Sequence, residues 1–249
     1  MTLLIGFGVF VLCMGAGILG LALHGALPEP HRGTETKDTV RLVQALIASM
    51  ATLVLGLLIA SASAHFRSQA EGVTELAADL LVLDVALAHV GPSAREARGT
   101  LRDMVQEAVS AHVLELGRNA PVVDQARFDA FFGAVARLRP GDEGERAAQA
   151  RALEMAHRLV QSRAQLMVRD VTDDVQWPFL GVLISWLALL FLAMGLFVRI
   201  NATIVLAMVA GALAVGGAIF LIIELEHPRT GLLRVSDAPL RFALERLDR

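Results

Sequence analysis

Apolar residues are concentrated in four uninterrupted stretches, at Leu3–Leu23, Leu42–Ala64, Phe179–Val198 and Thr203–Ile223. Each stretch has about the 20 residues that a helix needs to cross ~30 Å of bilayer hydrocarbon, and none contains a charged side chain. About 110 residues of mixed polarity separate the second stretch from the third. The pattern predicts an all-α integral membrane protein with four transmembrane helices and a long helical insert between helices 2 and 3.

This pattern divides the chain into four regions. We expect transmembrane helices 1 and 2 in residues 1–64, the insert in 65–177, a transmembrane hairpin in 178–223 and a tail in 224–249. A cleaved signal peptide is the alternative interpretation of the first stretch. Signal peptides begin with positive charge, and no Lys or Arg precedes this stretch, so we expect it to be kept as a membrane helix.

Positive charges favour one orientation of the four helices. With four spans, the insert and both termini share one side, which carries Arg67, Arg163, Arg169, Arg229, Arg234 and Arg241 near the spans or in the tail. The opposite side carries Arg32, Lys37, Arg41 and Arg199. Cytoplasmic loops are enriched in Lys and Arg, so we expect cytoplasmic termini and a cytoplasmic insert in a bacterial inner membrane.

Helix signals extend the second stretch far beyond the bilayer. Asp38 is a suitable N-cap, and no strong stop follows before Gly91-Pro92, which predicts one helix over Thr39–Val90. In its second half, leucines recur at helical spacing, at Leu76, Leu80, Leu83 and Leu87. We expect these leucines to pack against the rest of the insert.

The insert and the last two spans show the same helical signals. Further helices are predicted over Ala94–Leu116, Val123–Leu138 and Glu143–Val171. The short connection at Arg199–Asn201 makes the last two spans an antiparallel hairpin, with Asn201 as N-cap of the second. Glycines in the first span and small residues in the fourth predict closely packed helices.

Small and weakly polar residues follow one face of the second span. They are Ala45, Ser49, Thr52, Gly56, Ala60 and Ser63, with Arg41 at one end and Arg67 at the other. Such a face can line a water-filled pore that prefers anions, with the two arginines as its mouths. It can equally be a groove for a neighbouring helix, with the hydroxyls bonded to backbone carbonyls.

Composition excludes several other classes of function. The formal charge of −3 suggests neither nucleic acid nor a strongly acidic partner. The only cysteine, Cys13, is inside the first span, and the seven histidines show no metal-binding or hydrolase spacing, so no metal, cofactor or enzyme is predicted. Glu224 and His227 lie three residues apart after the fourth span and could form an ion or proton site, although solvation is the expected state there.

Several motifs resemble the bacterial bestrophin-like family of membrane proteins. They are Leu81–Asp84 with Gly91-Pro92, Trp186–Phe191, Gly195–Phe197, Asn201–Thr203, Ala218–Leu221, Glu224-Leu225, Pro228, Gly231–Leu233 and Pro239-Leu240. The resemblance implies a pentameric homo-oligomer that conducts inorganic ions across the lipid bilayer, with four membrane helices per subunit and a pore along the second. The bestrophin neck is a ring of bulky apolar and aromatic residues, yet Thr52–Ala64 contains no aromatic residue.

The resemblance leaves alternatives for both gate and function. Aliphatic side chains, at Leu53, Leu55 and Ile59, are the candidates for a hydrophobic gate that closes by dewetting. An anion channel is the leading interpretation. Cation conduction is an alternative because seventeen acidic and thirteen basic residues lie between Ala64 and Trp177. A non-conducting membrane scaffold or sensor, whose insert binds a partner, is the other.

Overall fold

A computed structural model describes residues 2–26, 34–114, 125–172, 177–198, 201–226 and 232–247. Its helices are α1 (Thr2–Ala26), α2 (Thr34–His89), α3 (Arg95–Leu114), α4 (Gln125–Ala136), α5 (Glu143–Thr172), α6 (Trp177–Leu196), α7 (Ala202–Glu226) and α8 (Ala238–Leu247). The described residues contain no strand, and α1, α2, α6 and α7 are long and apolar enough to span a membrane. The prediction of an all-α membrane protein is confirmed.

The chain forms two compact units. The membrane unit comprises residues 1–66 and 174–233, and the insert unit comprises residues 67–173 and 234–249. The tail is therefore divided between the two, since its first part belongs to the membrane unit and α8 belongs to the insert unit.

In the membrane unit, α1 packs closely against both α6 and α7 through glycines. A Cβ atom at Gly216 of α7 would lie 2.8 Å from the carbonyl oxygen of Gly6 on α1. Further along, Gly17 contacts Met208, so α1 and α7 run antiparallel. Close packing of the small residues is confirmed at these positions, because only the absence of side chains lets the backbones touch.

The α6–α7 hairpin also follows the prediction. Phe191 on α6 lies against Gly211 on α7, each about ten residues from Asn201. The side-chain oxygen of Asn201 accepts a hydrogen bond from the backbone N–H of Thr203 at 3.4 Å, as expected for an N-cap.

Helix α2 has 56 residues, or about 84 Å at 1.5 Å per residue. It begins at Thr34, so Asp38 is not its cap: the carboxylate lies inside the helix, 3.7 Å from the Arg41 guanidinium. The predicted stop is confirmed, because α2 ends at His89 and Gly91 has φ +88°, a conformation that favours glycine.

The core of the insert unit joins the second half of α2 to α3, α4, α5 and α8. Leu80, Leu83 and Leu87 are buried in it and Leu76 packs against it, as their spacing predicted. A reciprocal cap begins α5: Asp142 accepts from the N–H of Glu145, and the Glu145 carboxylate accepts from the N–H of Gly141. Helix α8 goes beyond the sequence-based prediction and buries Ala243 and Leu247.

Candidate pore-lining face

The membrane half of α2 has three distinct faces. The buried face packs into the core of the membrane unit through Ala51, Leu58 and Ala62. Successive residues of a helix are rotated by about 100°, so these three positions share one side. The other two faces of α2 are left uncovered by the rest of this chain.

The first uncovered face is the small-residue face, formed by the six candidate pore-lining residues. Ala45, Ser49, Thr52, Gly56 and Ala60 are exposed, and Ser63 is half-buried. The structure thus brings all six onto one continuous side of the helix. A Cβ atom at Gly56 would meet nothing within 4 Å, so there is free space in front of this face.

The second uncovered face is the leucine face, formed by Leu42, Leu46, Met50, Leu53 and Leu57. All five side chains are exposed. By helical rotation the leucine face lies roughly 80° from the small-residue face, so the two share an edge. Within the most apolar 18 residues of each helix, the share that is buried is accordingly 11% in α2, against 28% in α1, 28% in α6 and 33% in α7.

The three candidate gate residues do not lie together. Leu53 is 76% exposed and lies where the leucine face meets the small-residue face. Leu55, two positions on, is rotated by about 200° from Leu53 and packs against the membrane core. Ile59 is also half-buried against that core, at the other edge of the small-residue face. Only Leu53 therefore presents a large, uncovered side chain beside the small residues.

The hydroxyl group of Thr52 is committed to the helix backbone. Its Oγ1 donates to the carbonyl oxygen of Ala48 at 2.8 Å. With its hydrogen in that bond, Thr52 presents oxygen lone pairs to the space in front of the face. Lone pairs suit a cation better than an anion, so this position does not favour anions.

The two predicted mouths, Arg41 and Arg67, are both exposed. Arg41 is exposed beside Asp38, and this i, i+3 pair reduces the net positive charge near that end of the face. Arg67 is exposed at the start of the insert unit. Lys37 lies four residues before Arg41 and Glu71 lies four residues after Arg67, so each end of the face carries acidic as well as basic side chains within about one helical turn.

The expectation that Glu224 is solvated is wrong. Its side chain is fully buried, and Oε1 accepts hydrogen bonds from the backbone N–H groups of Leu232 and Leu233, the latter at 3.1 Å. The chain after α7 covers the carboxylate, a contact too distant in sequence for helix periodicity to reveal. His227, its predicted partner, is outside the described residues.

In the insert unit, two carboxylates of α2 bind neighbouring helices. Asp84 accepts two hydrogen bonds from the Arg98 guanidinium of α3, at 2.6 and 2.9 Å. Hydrogen bonding to Asp84 is the main reason that the pKa of Arg98 is raised. Asp79 accepts a hydrogen bond from the Ser162 hydroxyl of α5 at 3.1 Å. Asp84 closes the Leu81–Asp84 motif, whose role as a clamp between helices the sequence alone did not indicate. No group of three or more potential metal ligands occurs among the described residues.

Comparison with known protein families finds a match to the Bestrophin-like domain over residues 11–240. The chain belongs to the bestrophin-like family. No curated protein and no solved structure matches it. The matched residues include the whole of α2 and extend into α8, so both the small-residue face and the Asp84–Arg98 clamp are within the bestrophin-like domain.

Among the features of this bestrophin-like protein, the small-residue face of α2 is the best candidate for the functional site. It combines free space, hydroxyl oxygens and a nearby bulky leucine on a side of α2 that the chain itself leaves uncovered. Chemically, such a face can carry partly hydrated ions along a helix and can be closed by the leucine side chain.

Proposed function

We propose that this bestrophin-like protein is a homo-oligomeric ion channel, a pentamer, with its pore along the membrane half of α2. The main support for this proposal is that the small-residue face is exposed from Ala45 to Ala60. Ser49 would otherwise place its hydroxyl group against lipid hydrocarbon, which is unfavourable for a polar group, whereas the Thr52 hydroxyl is already bonded to the Ala48 carbonyl. Water along this face removes that cost.

Copies of the chain supply the rest of the pore wall. The rest of the chain leaves both of these faces of α2 uncovered, so α2 can present them to other copies around a common axis. In such a ring, the leucine face of one copy can pack beside the small-residue face of the next. This is a heterologous contact, which closes into a ring when its rotation is cyclic.

The proposed channel conducts anions and lies in a bacterial inner membrane, with both termini in the cytoplasm. Arg41 and Arg67 mark the two mouths and concentrate anions there. Cation conduction is the second candidate, favoured by the lone pairs that Thr52 presents and by Asp38 beside Arg41.

Current across a planar bilayer tests conduction and selectivity together. The purified oligomer is measured under a potassium chloride gradient. Reversal near the chloride equilibrium potential supports the anion channel, and reversal near the potassium potential supports the cation channel. Silence from a folded, verified oligomer contradicts conduction and favours a membrane scaffold or sensor.

Leu53 is the proposed gate, and Leu55 provides a matched control. Leu53→Ala removes a bulky side chain beside the pore, so we expect a higher open probability or conductance with little loss of stability. Leu55→Ala truncates a side chain packed in the core. It should cost ~1–3 kcal/mol of unfolding free energy and leave the closed state intact. Equal effects of the two substitutions on the current would contradict the assignment.

A further inference from the structure

A second concave site lies on the membrane unit, between the start of α1 and the end of α7. The two helices touch where Gly6 meets Gly216: a Cβ atom at Gly6 would lie 2.9 Å from the Cβ of Phe220 and 3.0 Å from the carbonyl oxygen of Gly216. Because the backbones approach so closely, the larger side chains on either side form the walls of a groove. We call it the α1–α7 groove.

The α1–α7 groove is apolar throughout and has a volume of about 280 Å³. Besides Gly6 and Gly216, it is lined by Leu3, Phe7, Phe10, Leu213, Gly217 and Phe220. The rings of Phe7 and Phe10 are stacked with centroids 6.1 Å apart and form one aromatic wall. A space of this size without polar partners does not hold ordered water.

We propose that the α1–α7 groove binds an acyl chain of a membrane lipid. Its walls belong to the apolar segments Thr2–His24 and Ala202–Glu226, both long enough to span a membrane, so hydrocarbon chains surround it. A chain on a flat helix surface is contacted from one side, whereas a chain in the groove is contacted from several. The groove is large enough to hold several methylenes of such a chain.

The lining indicates what is recognised. No charged side chain and no side-chain hydrogen-bond donor lines the groove, so it selects the hydrocarbon chain and not a head group. This inference is independent of ion conduction, because α2 does not line the groove. A silent protein could still bind lipid here, and a conducting one could fail to.

Gly217 provides a substitution that fills the groove without disturbing the fold. It lines the groove, yet a Cβ atom there would meet nothing within 4 Å. Gly217→Leu therefore extends a side chain into the space that the acyl chain would occupy. Gly8→Leu is the matched control, because Gly8 also faces open space but does not line the groove. By contrast, a side chain at Gly216 would collide with the backbone of α1.

The test uses the full-length protein in nanodiscs of phosphatidylcholine that carries a photoactivatable diazirine on one acyl chain. After illumination, mass spectrometry of peptides locates the labelled residues. We expect labelling concentrated on the groove residues Phe7, Phe10 and Phe220, above that at the exposed positions Leu19 and Leu206. In Gly217→Leu the groove labelling should fall by about fivefold or more, while Gly8→Leu stays at the wild-type level. Thermal unfolding confirms that both variants are folded.

Two results would overturn the proposal. Labelling in the groove no stronger than at Leu19 and Leu206, or unchanged by Gly217→Leu, would mean that lipid touches the groove without being bound. Absence of groove labelling, together with disulfide formation between chains that carry a single cysteine in place of Phe7 or Leu213, would mean that a second copy fills it. Neither result would change the expectation for current through the α2 pore.

Discussion

Helices α1, α6 and α7 are packed against one another, whereas the membrane half of α2 is covered on only one of its faces. Glycines account for much of the difference. On α1, α6 and α7 several glycines let backbones touch, as Gly195 does with Gly17 and Leu21, but Gly56, the one glycine in the membrane half of α2, faces open space. Similar residues thus have different uses in neighbouring helices: one set closes the fold of the chain, and the other leaves a surface for what lies outside it.

Within α2 itself, the contrast continues from the membrane half to the half in the insert unit. Leu53 and Leu57 are exposed, whereas Leu83 and Leu87 are completely buried among α3, α4 and α5. The uncovered character of the membrane half is therefore not a property of α2 as a helix. Exposed leucines of α2 are confined to the segment that carries the small-residue face, although Val82 and Val85 in the insert half are also exposed.

The largest expected effect comes from exchanging glycine for leucine in the two settings. At Gly195, a Cβ atom would meet the Gly17 carbonyl oxygen and lie 2.8 Å from the Leu21 nitrogen, so Gly195→Leu should destabilise the protein by more than ~3 kcal/mol or prevent folding. Gly56→Leu should change the unfolding free energy by less than ~0.5 kcal/mol yet reduce the current. Thermal unfolding in detergent and bilayer current measure the two effects.

An equal loss of stability in both glycine variants would break the comparison. It would mean that the small-residue face of α2 is packed in the folded chain, as a groove for a neighbouring helix.

A smaller effect is expected at the end of α7, where the packed helices hold the chain that follows. Glu224→Ala leaves the N–H groups of Leu232 and Leu233 without their buried acceptor, which should cost ~1–3 kcal/mol. Glu224→Gln keeps an acceptor oxygen and should lose less. Chemical unfolding of the three proteins gives the order, and an alanine variant as stable as the wild type would show that this contact contributes nothing.

The smallest effect is expected at the clamp that holds the insert half of α2. Arg98→Met should cost roughly 1 kcal/mol, below the usual ~1.5–3 kcal/mol for charged hydrogen bonds, because about a third of Arg98 is exposed to screening solvent. Arg95→Met on the exposed side of α3 is the control and should be neutral. If both variants lost the same unfolding free energy, the hydrogen bonds to Asp84 would not be the cause of the Arg98→Met effect.

The pH dependence of the Arg98 contribution has a definite sign. Its pKa is raised in the folded protein, mainly by the hydrogen bond to Asp84, so this stabilisation is fully present below the unfolded pKa. It is lost only as the pH rises through the folded value, at strongly alkaline pH. The stability difference between wild type and Arg98→Met should therefore not change between pH 7 and 9, as urea titrations can check.

Local signals in the sequence predicted much of the fold. The four spans, the Asn201 cap, the Gly91-Pro92 stop and the leucine spacing of α2 depend on residues a few positions apart, where helix geometry is fixed. The start of α2 was harder to predict from the sequence. Asp38 suits an N-cap, but it suits a helix interior equally well when it pairs with Arg41 three residues later. Helix α8 depends on burial of Ala243 and Leu247 against distant helices.

The candidate site was only partly predictable, for a different reason. Periodicity placed the six small residues on one face but could not say which neighbouring leucines the chain itself covers. Leu53 and Leu55 have similar sequence surroundings, yet only packing against the membrane core separates them. Likewise, Glu224 is buried by Leu232 and Leu233, eight and nine residues away.

Thiol accessibility along α2 tests the central claim, that water lines the small-residue face, most directly. Single cysteines at each position from 42 to 63 are exposed to a charged, water-soluble thiol reagent in membranes. The natural Cys13 is buried, so the unsubstituted protein serves as the unlabelled control. We predict strong labelling at Ala45, Ser49, Gly56 and Ala60 and none at Ala51, Leu58 and Ala62. Labelling that is absent from the small-residue face, or that shows no helical period, would contradict a pore along α2.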